Sequence, residues 1–290
     1  MAQIKERYTL TQPQKMMVFI LSMSLYGLSN MITELVPEFN IGPVNFSIEY
    51  FAFIPLTLCI LFHPFYAALG ASVGEIIFGE IMLGQFGGFG EIEKLVLFTL
   101  AMCVAGLIVN NPKNKIQVGI AAITGVAIHQ FLNMISDIMK VWIGVEDFEA
   151  VPGLPESVVA IEGFSFLNDV LFSGILFALL PTLYLVPRLY GKIEPLLGMK
   201  PRDNKTSYPI SSILTPRFIA GGILLSAVGM GFEFLSEAGI NVFEWEADFV
   251  DKFGNTAIFI SLAVAAAVAA LAVILMLSAK NRNKGNAVNE

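Results

Sequence analysis

Charge is what this chain has least of. Of its 290 residues only 14% are Asp, Glu, Lys or Arg and 56% are hydrophobic, whereas a soluble domain carries ~25% charged residues. Histidine is nearly absent. His63 and His129 are the only two, which excludes a multi-histidine metal site. The two cysteines, Cys59 and Cys103, both sit inside apolar runs, so neither a disulfide framework nor a zinc site is expected. No Gly-x-Ser-x-Gly or His-Glu-x-x-His pattern occurs, and no Gly-Lys-Ser/Thr follows the glycine-rich stretch 84–90. That removes the nucleophile elbow, the zinc-protease helix and the nucleotide phosphate loop. A cleavable leader is not expected, because the first fifteen residues are polar and the apolar run after them is long enough to stay as a span. No internal repeat stands out.

Long apolar stretches are what the chain has in abundance, and its mean hydropathy is +0.72. A helix needs about 20 residues to cross a bilayer's hydrocarbon. Eight stretches come close to or exceed this: 15–36, 45–62, 65–83, 93–109, 116–143, 164–186, 218–235 and 256–278. Helices are required, because an open sheet leaves backbone groups unsatisfied in lipid and the runs are too long for barrel strands. The expected fold class is therefore an all-α integral membrane protein, a six-helix bundle plus two additional transmembrane helices. With the N-terminus inside, all of the 17 basic residues except Lys94, Lys140 and Lys252 fall on the cytoplasmic side. This implies a multi-pass protein of the cell membrane with both termini cytoplasmic. Three parts follow: a six-helix membrane unit over 1–197, a cytoplasmic linker over 198–216, and two further spans with a cytoplasmic tail over 217–290. The last span is rich in Ala, Val and Leu and reads as a peripheral, lipid-facing helix.

Ionisable groups inside spans are costly and mark function by default. The fifth span has the densest set. His129, Asn133, Asp137 and Lys140 follow at steps of four, four and three, which stacks them on one helical face, with Gln130 away from it. Glu75 lies mid-span in the third stretch, with Glu80 nearer its end. Asn30, Thr33 and Glu34 end the first span, Glu49 enters the second, and Asn168 and Asp169 enter the sixth. All converge on the outer half of the six-helix unit, as a pocket opening outward would require. The candidate substrate-binding residues are thus Glu49, Glu75, His129, Asn133, Asp137, Lys140, Asn168 and Asp169, with Trp142 nearby for stacking. Most have a plainer role open to them: an ion pair of Asp137 with Lys140, a core hydrogen bond for His129, headgroup water for Glu34, Glu49, Asn168 and Asp169, whereas Glu75 near mid-membrane needs a partner or must stay protonated. Mostly acidic groups favour a cationic or amine-bearing organic ligand, such as a thiamin-like or nucleobase-like compound. Small residues recur four apart at Ala67 and Ala71, Gly70 and Gly74, and Ala101 and Ala105. This spacing lets helices approach closely, either inside the bundle or at a docking face for a partner subunit. The stretch 84–90 reads as a gate over the pocket or as a plain linker.

One stretch carries a family resemblance. Ile41-Gly42-Pro43-Val44-Asn45-Phe46-Ser47 precedes the second span, Ile54-Pro55 lies within it, and His63-Pro64 ends it. Ala68-Leu69-Gly70-Ala71-Ser72-Val73-Gly74-Glu75 then opens the third. Together with the sixth span, this resembles the substrate-binding S component of energy-coupling factor (ECF) transporters, over about 15–197. The first span lacks the family's alanine pair, and the last two spans are additional to its usual six. The resemblance implies a non-enzymatic subunit that binds a vitamin-like micronutrient from outside. It also implies association with a transmembrane coupling subunit and two cytoplasmic ATPases. The metal-transporting relatives need an N-terminal Met-His group, from which Met1-Ala2-Gln3 departs, so nickel or cobalt is not expected, nor any cofactor. Two other classes remain open: an intramembrane enzyme using His129 and Asp137 as an acid–base pair, and a non-transporting membrane scaffold.

Overall fold

The computed structural model describes residues 6–7, 10–36, 39–41, 44–46, 50–144, 154–203, 206–208, 213–237, 240 and 248–286. The described residues are mainly helical, with short two-stranded ladders. Helix α1 (Gln12–Glu34) starts at a capping box in which Thr11 Oγ1 accepts from the Gln14 amide and the Gln14 side chain accepts from the Thr11 amide. A small antiparallel hairpin follows, β2 (Phe39–Ile41) with β3 (Val44–Phe46). Helices α2 (Phe53–Leu61) and α3 (Pro64–Gly74) come next. The His63-Pro64 break separates them, and His63 Nδ1 accepts from the Phe65 amide at 3.2 Å to start α3. Burial, reinforced by the charges of Arg202 and Lys15, lowers the His63 pKa to about 3, which keeps that acceptor neutral.

Helix α3 runs directly into a π-helical segment, Glu75–Ile81. Helices α4 (Glu91–Ile108) and α5 (Lys115–Ile143) follow. Helices α6 (Val158–Leu171) and α7 (Leu180–Leu189) form one rod through a second π-helical segment, Gly174–Leu179. Helix α8 (Pro216–Glu237), the short α9 (Asp248–Phe253) and α10 (Asn255–Asn286) complete the chain. Strand β1 (Glu6–Arg7) pairs in parallel with β4 (Thr206–Ser207).

Among the described residues, five helices are long and apolar enough to cross a membrane: Gln12–Glu34, Lys115–Ile143, Val158–Leu189, Pro216–Leu235 and Asn255–Ser278. They correspond to five of the eight stretches read from hydropathy. The other three are broken or charged. The second stretch begins in β3, and α2 has nine residues, or about 14 Å. The third is continuous through α3 and the π segment but carries Glu75 and Glu80 within it. The fourth opens on Glu93 and Lys94, which together with Glu91 put three charges in the first turn of α4.

The α1–α3 contact shows what the glycines of α3 do. A Cβ on Gly70 would overlap the Phe19 carbonyl oxygen, and one on Gly74 the Met23 carbonyl oxygen. The two backbones therefore touch, and Ser22 Oγ crosses to the Ala67 carbonyl at 2.6 Å. Ala67, Ala71, Ala101 and Ala105 are fully buried, so these small side chains set helix spacing within the bundle. A partner could reach them only if the bundle opened.

The last two helices are part of this packing. On α10 the face Ala257, Ala265, Ala269, Ala272 and Met276 is buried, while Phe259 and Ile260 on the other side are exposed. The helix is thus packed on one side, against α1. Helix α8 lies on α4 through Gly222, near Val96, and Gly229, which sits against the backbone of Glu93 and Gly90. The segment 198–216 is no free linker at Arg202. That side chain is 2% exposed. Its Nη1 donates to the carbonyls of Ile60 (2.8 Å) and Gly106 (3.3 Å), and its Nη2 to Val109 (2.7 Å). One guanidinium therefore satisfies carbonyls left over at the C-terminal ends of α2 and α4. Tyr208 Oη adds a bond to the Phe62 carbonyl at 2.9 Å, and Gln14 Nε2 bonds the carbonyls of Leu197 and Gly198.

Candidate functional site

At the opposite end of α4 the bundle holds a polar cavity of about 240 Å³. It lies some 20 Å from the Arg202 cluster, since thirteen residues at 1.5 Å separate Glu93 from Gly106. Helix α1 contributes Asn30 and Glu34, the π segment Glu75 and Glu80, and α4 Glu93, Lys94 and Leu97. Tyr50 and five residues of α5 (His129, Asn133, Ser136, Asp137 and Lys140) complete the lining.

The π segment explains how two acidic residues five apart face one cavity. In an α-helix a step of five turns a side chain about 140° away from its starting direction, whereas i→i+5 bonding returns it to nearly the same side. Glu75 and Glu80 both line the cavity. Gly79 leaves room beside them for the Asn30 amide.

Helix α5 supplies the opposite wall. His129 is held at both ring nitrogens: Nδ1 lies 3.1 Å from Tyr50 Oη and Nε2 lies 3.3 Å from Asn133 Nδ2. With the Asn133 amide donating, the ring proton sits on Nδ1. Phe98 and Tyr50 meet the imidazole edge-on at 5.0 and 5.4 Å between centroids. About three turns further along α5, Lys140 is surrounded by three carboxylates: Glu233 at 3.2 Å, Glu93 at 3.8 Å and Asp137 at 3.9 Å. Its side chain is only 9% exposed. The other oxygen of Glu93 accepts from Ser136 Oγ. The second lysine of the cavity, Lys94, pairs with Glu91 at 3.0 Å and Glu80 at 3.7 Å. Lys94 is 57% exposed and marks where the cavity reaches the surface.

Five carboxylates of the lining, those of Glu34, Glu75, Glu80, Glu93 and Asp137, thus face two ammonium groups. The Lys140 charge is shared among three acids, and Glu75 makes no hydrogen bond or ion pair to another described residue. An anionic guest would meet more carboxyl oxygens than ammonium groups. A compact group carrying positive charge and N–H donors fits the surplus of acceptors. Among the described residues no group of acidic, histidine and cysteine side chains is arranged to hold a metal ion.

Of the sequence-derived candidates, Glu75, His129, Asn133, Asp137 and Lys140 meet in this cavity. Asn168 and Asp169 do not line it. They sit half-buried on α6, bonded to each other at 3.4 Å. Glu49 lies outside the described residues. Trp142 is 63% exposed, and the ring beside the imidazole is Tyr50 instead. Gln130 is buried and accepts from Asn133, so it supports the site rather than facing away. His129 does not bond Asp137, and the acid–base pair considered from the sequence is not formed in this arrangement. The 84–90 stretch packs on α8, with Phe89 and Phe232 centroids 5.0 Å apart.

Reasoning from the sequence missed Tyr50, Glu93, Ser136 and Glu233. Ser136 had a signal, since 129, 133, 136 and 140 form a heptad-like face. Glu233 had one too: it continues the small-residue stripe Gly222, Ser226, Gly229 on α8.

These features define a predominantly helical protein with several helices apolar enough for a membrane and an acid-rich cavity among them. Over residues 17–285 the chain matches a family of unknown function, DUF8171, and belongs to it. No curated protein matches the chain, and no solved structure does.

Proposed function

We propose that this chain is a multi-pass protein of the cell membrane that binds a small amine-bearing solute in its polar cavity. In this reading it is the substrate-binding subunit of an ECF-type uptake transporter, served by a transmembrane coupling subunit and two cytoplasmic ATPases. The observation that carries the binding reading is the cavity's balance of five carboxylates against two lysines within apolar helices. A buried carboxyl group must either stay protonated or meet a counter-charge, and an ammonium-bearing solute supplies one. The cavity's 240 Å³ is below the ~300–1,000 Å³ of drug-sized sites, which favours a solute of one ring over a larger vitamin. The uptake reading rests on the motifs of 41–75 and on the distribution of basic residues, which supports eight membrane segments and cytoplasmic termini. In that topology the short α2, the α3–π segment and α4 are the spans whose ends are completed by the hairpin, Tyr50 and the 84–90 turn.

The test is native mass spectrometry of the protein released gently from its own membranes. A bound small amine, lost in Glu75→Gln, is the expected result. A protein that emerges empty and shows no affinity for small amines by calorimetry would overturn the binding reading. Co-purification without ATPase subunits, with uptake insensitive to ATP depletion, would overturn the ECF assignment alone.

A further inference from the structure

A second cavity lies between α8 and the bundle. It measures about 630 Å³ and is walled by apolar side chains of α3, α4, α5 and α8, among them Leu69, Leu100, Leu132 and Leu225. One end reaches Glu93 and Ser136 beneath the polar site, and the other ends at Arg217 and Phe218. From Arg217 to Met230 the α8 wall is about 20 Å long. One leaflet of a bilayer's hydrocarbon is about 15 Å thick, so the cavity has the length of a single acyl chain. Arg217 is exposed at its mouth. The ring contact of Phe218 with Phe65, at 5.5 Å, brings this end beside Tyr66, over which Lys15 Nζ lies at 5.5 Å. The apolar length thus terminates in positive charge, on the side that the basic residues mark as cytoplasmic.

We infer that this cavity is a binding site for one anionic phospholipid, with an acyl chain between α8 and the α3–α4–α5 wall and its phosphate on Arg217. The inference rests on the membrane reading above. Charge complementarity decides the occupant. A hydrocarbon chain alone gains nothing over bulk lipid, whereas a headgroup phosphate at a juxtamembrane arginine gains about 1 kcal/mol, near fivefold in occupancy. The chain fills a space that apolar walls keep free of water. It also supports α8 where that helix presents Glu233 to Lys140.

The experiment reconstitutes the full chain in vesicles of equal parts zwitterionic and anionic phospholipid, then counts retained lipid by native mass spectrometry. One anionic lipid should be retained preferentially, and 10 mM inorganic phosphate should not displace it. Arg217→Ala should lower that retention about fivefold, and Leu225→Trp should lower it whatever the headgroup. Displacement by phosphate alone, retention equal in Arg217→Ala, or an unaffected Leu225→Trp would each overturn the site. Arg217 and Leu225 are both exposed, and thermal unfolding checks that both variants fold. A chain that stays in carbonate-washed membranes yet carries no lipid overturns this inference alone. A chain released by the wash overturns the membrane reading and this inference with it.

Discussion

Lys140 is the residue on which the site's charge depends. Its ammonium lies within 4 Å of Glu93, Asp137 and Glu233, and it is nearly buried. Lys140→Met would leave three acids facing one another, with a loss of about 3–5 kcal/mol expected from an uncompensated buried charge. Adding Glu233→Gln should restore part of the loss, with a coupling of about 1–3 kcal/mol in a double-mutant cycle read by thermal unfolding in detergent. Additive losses would mean that the 3.2 Å contact carries no energy. Asp137→Asn and Glu75→Gln nearly preserve shape. Each should weaken binding of the co-purifying solute at least about tenfold, because a hydrogen bond to a charged group in a dry site contributes about 1.5–3 kcal/mol. Calorimetry measures it, with unfolding temperature as control, and unchanged affinity in both would place the solute elsewhere.

Single helices were more legible than the contacts between them. The face of α5 could be read because a period of 3.6 is written locally: His129, Asn133, Asp137 and Lys140 need no knowledge of any other segment. Glu233 could not be read as their partner, because the pairing depends on how closely α8 approaches α4. Gly229 sets that approach: a Cβ there would come within 3.2 Å of the Glu93 amide nitrogen and 3.3 Å of the Gly90 oxygen. Gly229→Leu should therefore push α8 outward and separate Glu233 from Lys140. The expected result is a lower unfolding temperature and a vanished Lys140–Glu233 coupling. A coupling that survives the leucine would show that α8 is not positioned there. Glu80 was legible as a group of the outer half, but its direction was not: on an ideal α-helix it would point away from Glu75, and the i→i+5 bonding of Glu75–Ile81 brings it round. Hydropathy also ran the second stretch through Asn45 and Phe46, which pair as a strand with Asn40 and Phe39, because an apolar run does not report its own period when it is short.

For the molecule as a whole, the sidedness of the chain is open to direct test. Single cysteines replacing Lys113, Asn204 or Asn283 should be shielded from an impermeant thiol reagent in intact cells, and those replacing Gln85, Glu149 or Glu246 should react; Gln85 is exposed, whereas Gly88 in the same turn is buried at a φ of 87°. The native Cys59 and Cys103 are buried and add little background. Labelling at Asn204 would invert the orientation. The division into 1–197 and an appended remainder needs a different kind of test, because Arg202 crosses it. Arg202→Ala removes three bonds to the ends of α2 and α4, each about 1.5–3 kcal/mol. A loss of at least about 3 kcal/mol in unfolding is expected, with Arg202→Lys intermediate. An unaffected Arg202→Ala would mean that water serves those carbonyls as well.

The position of Arg202 also sets a timetable for biogenesis. The carbonyl of Val109 and the guanidinium that bonds it are 93 residues apart in the chain. At about 5–20 residues per second of synthesis, α2 and α4 are complete roughly 5–20 s before their closing residue leaves the ribosome. During that interval one end of the bundle is still open, and a nascent chain interrupted before residue 202 presents unfinished helix ends to the quality-control machinery. Translation past that point is what makes the helices already formed a finished unit.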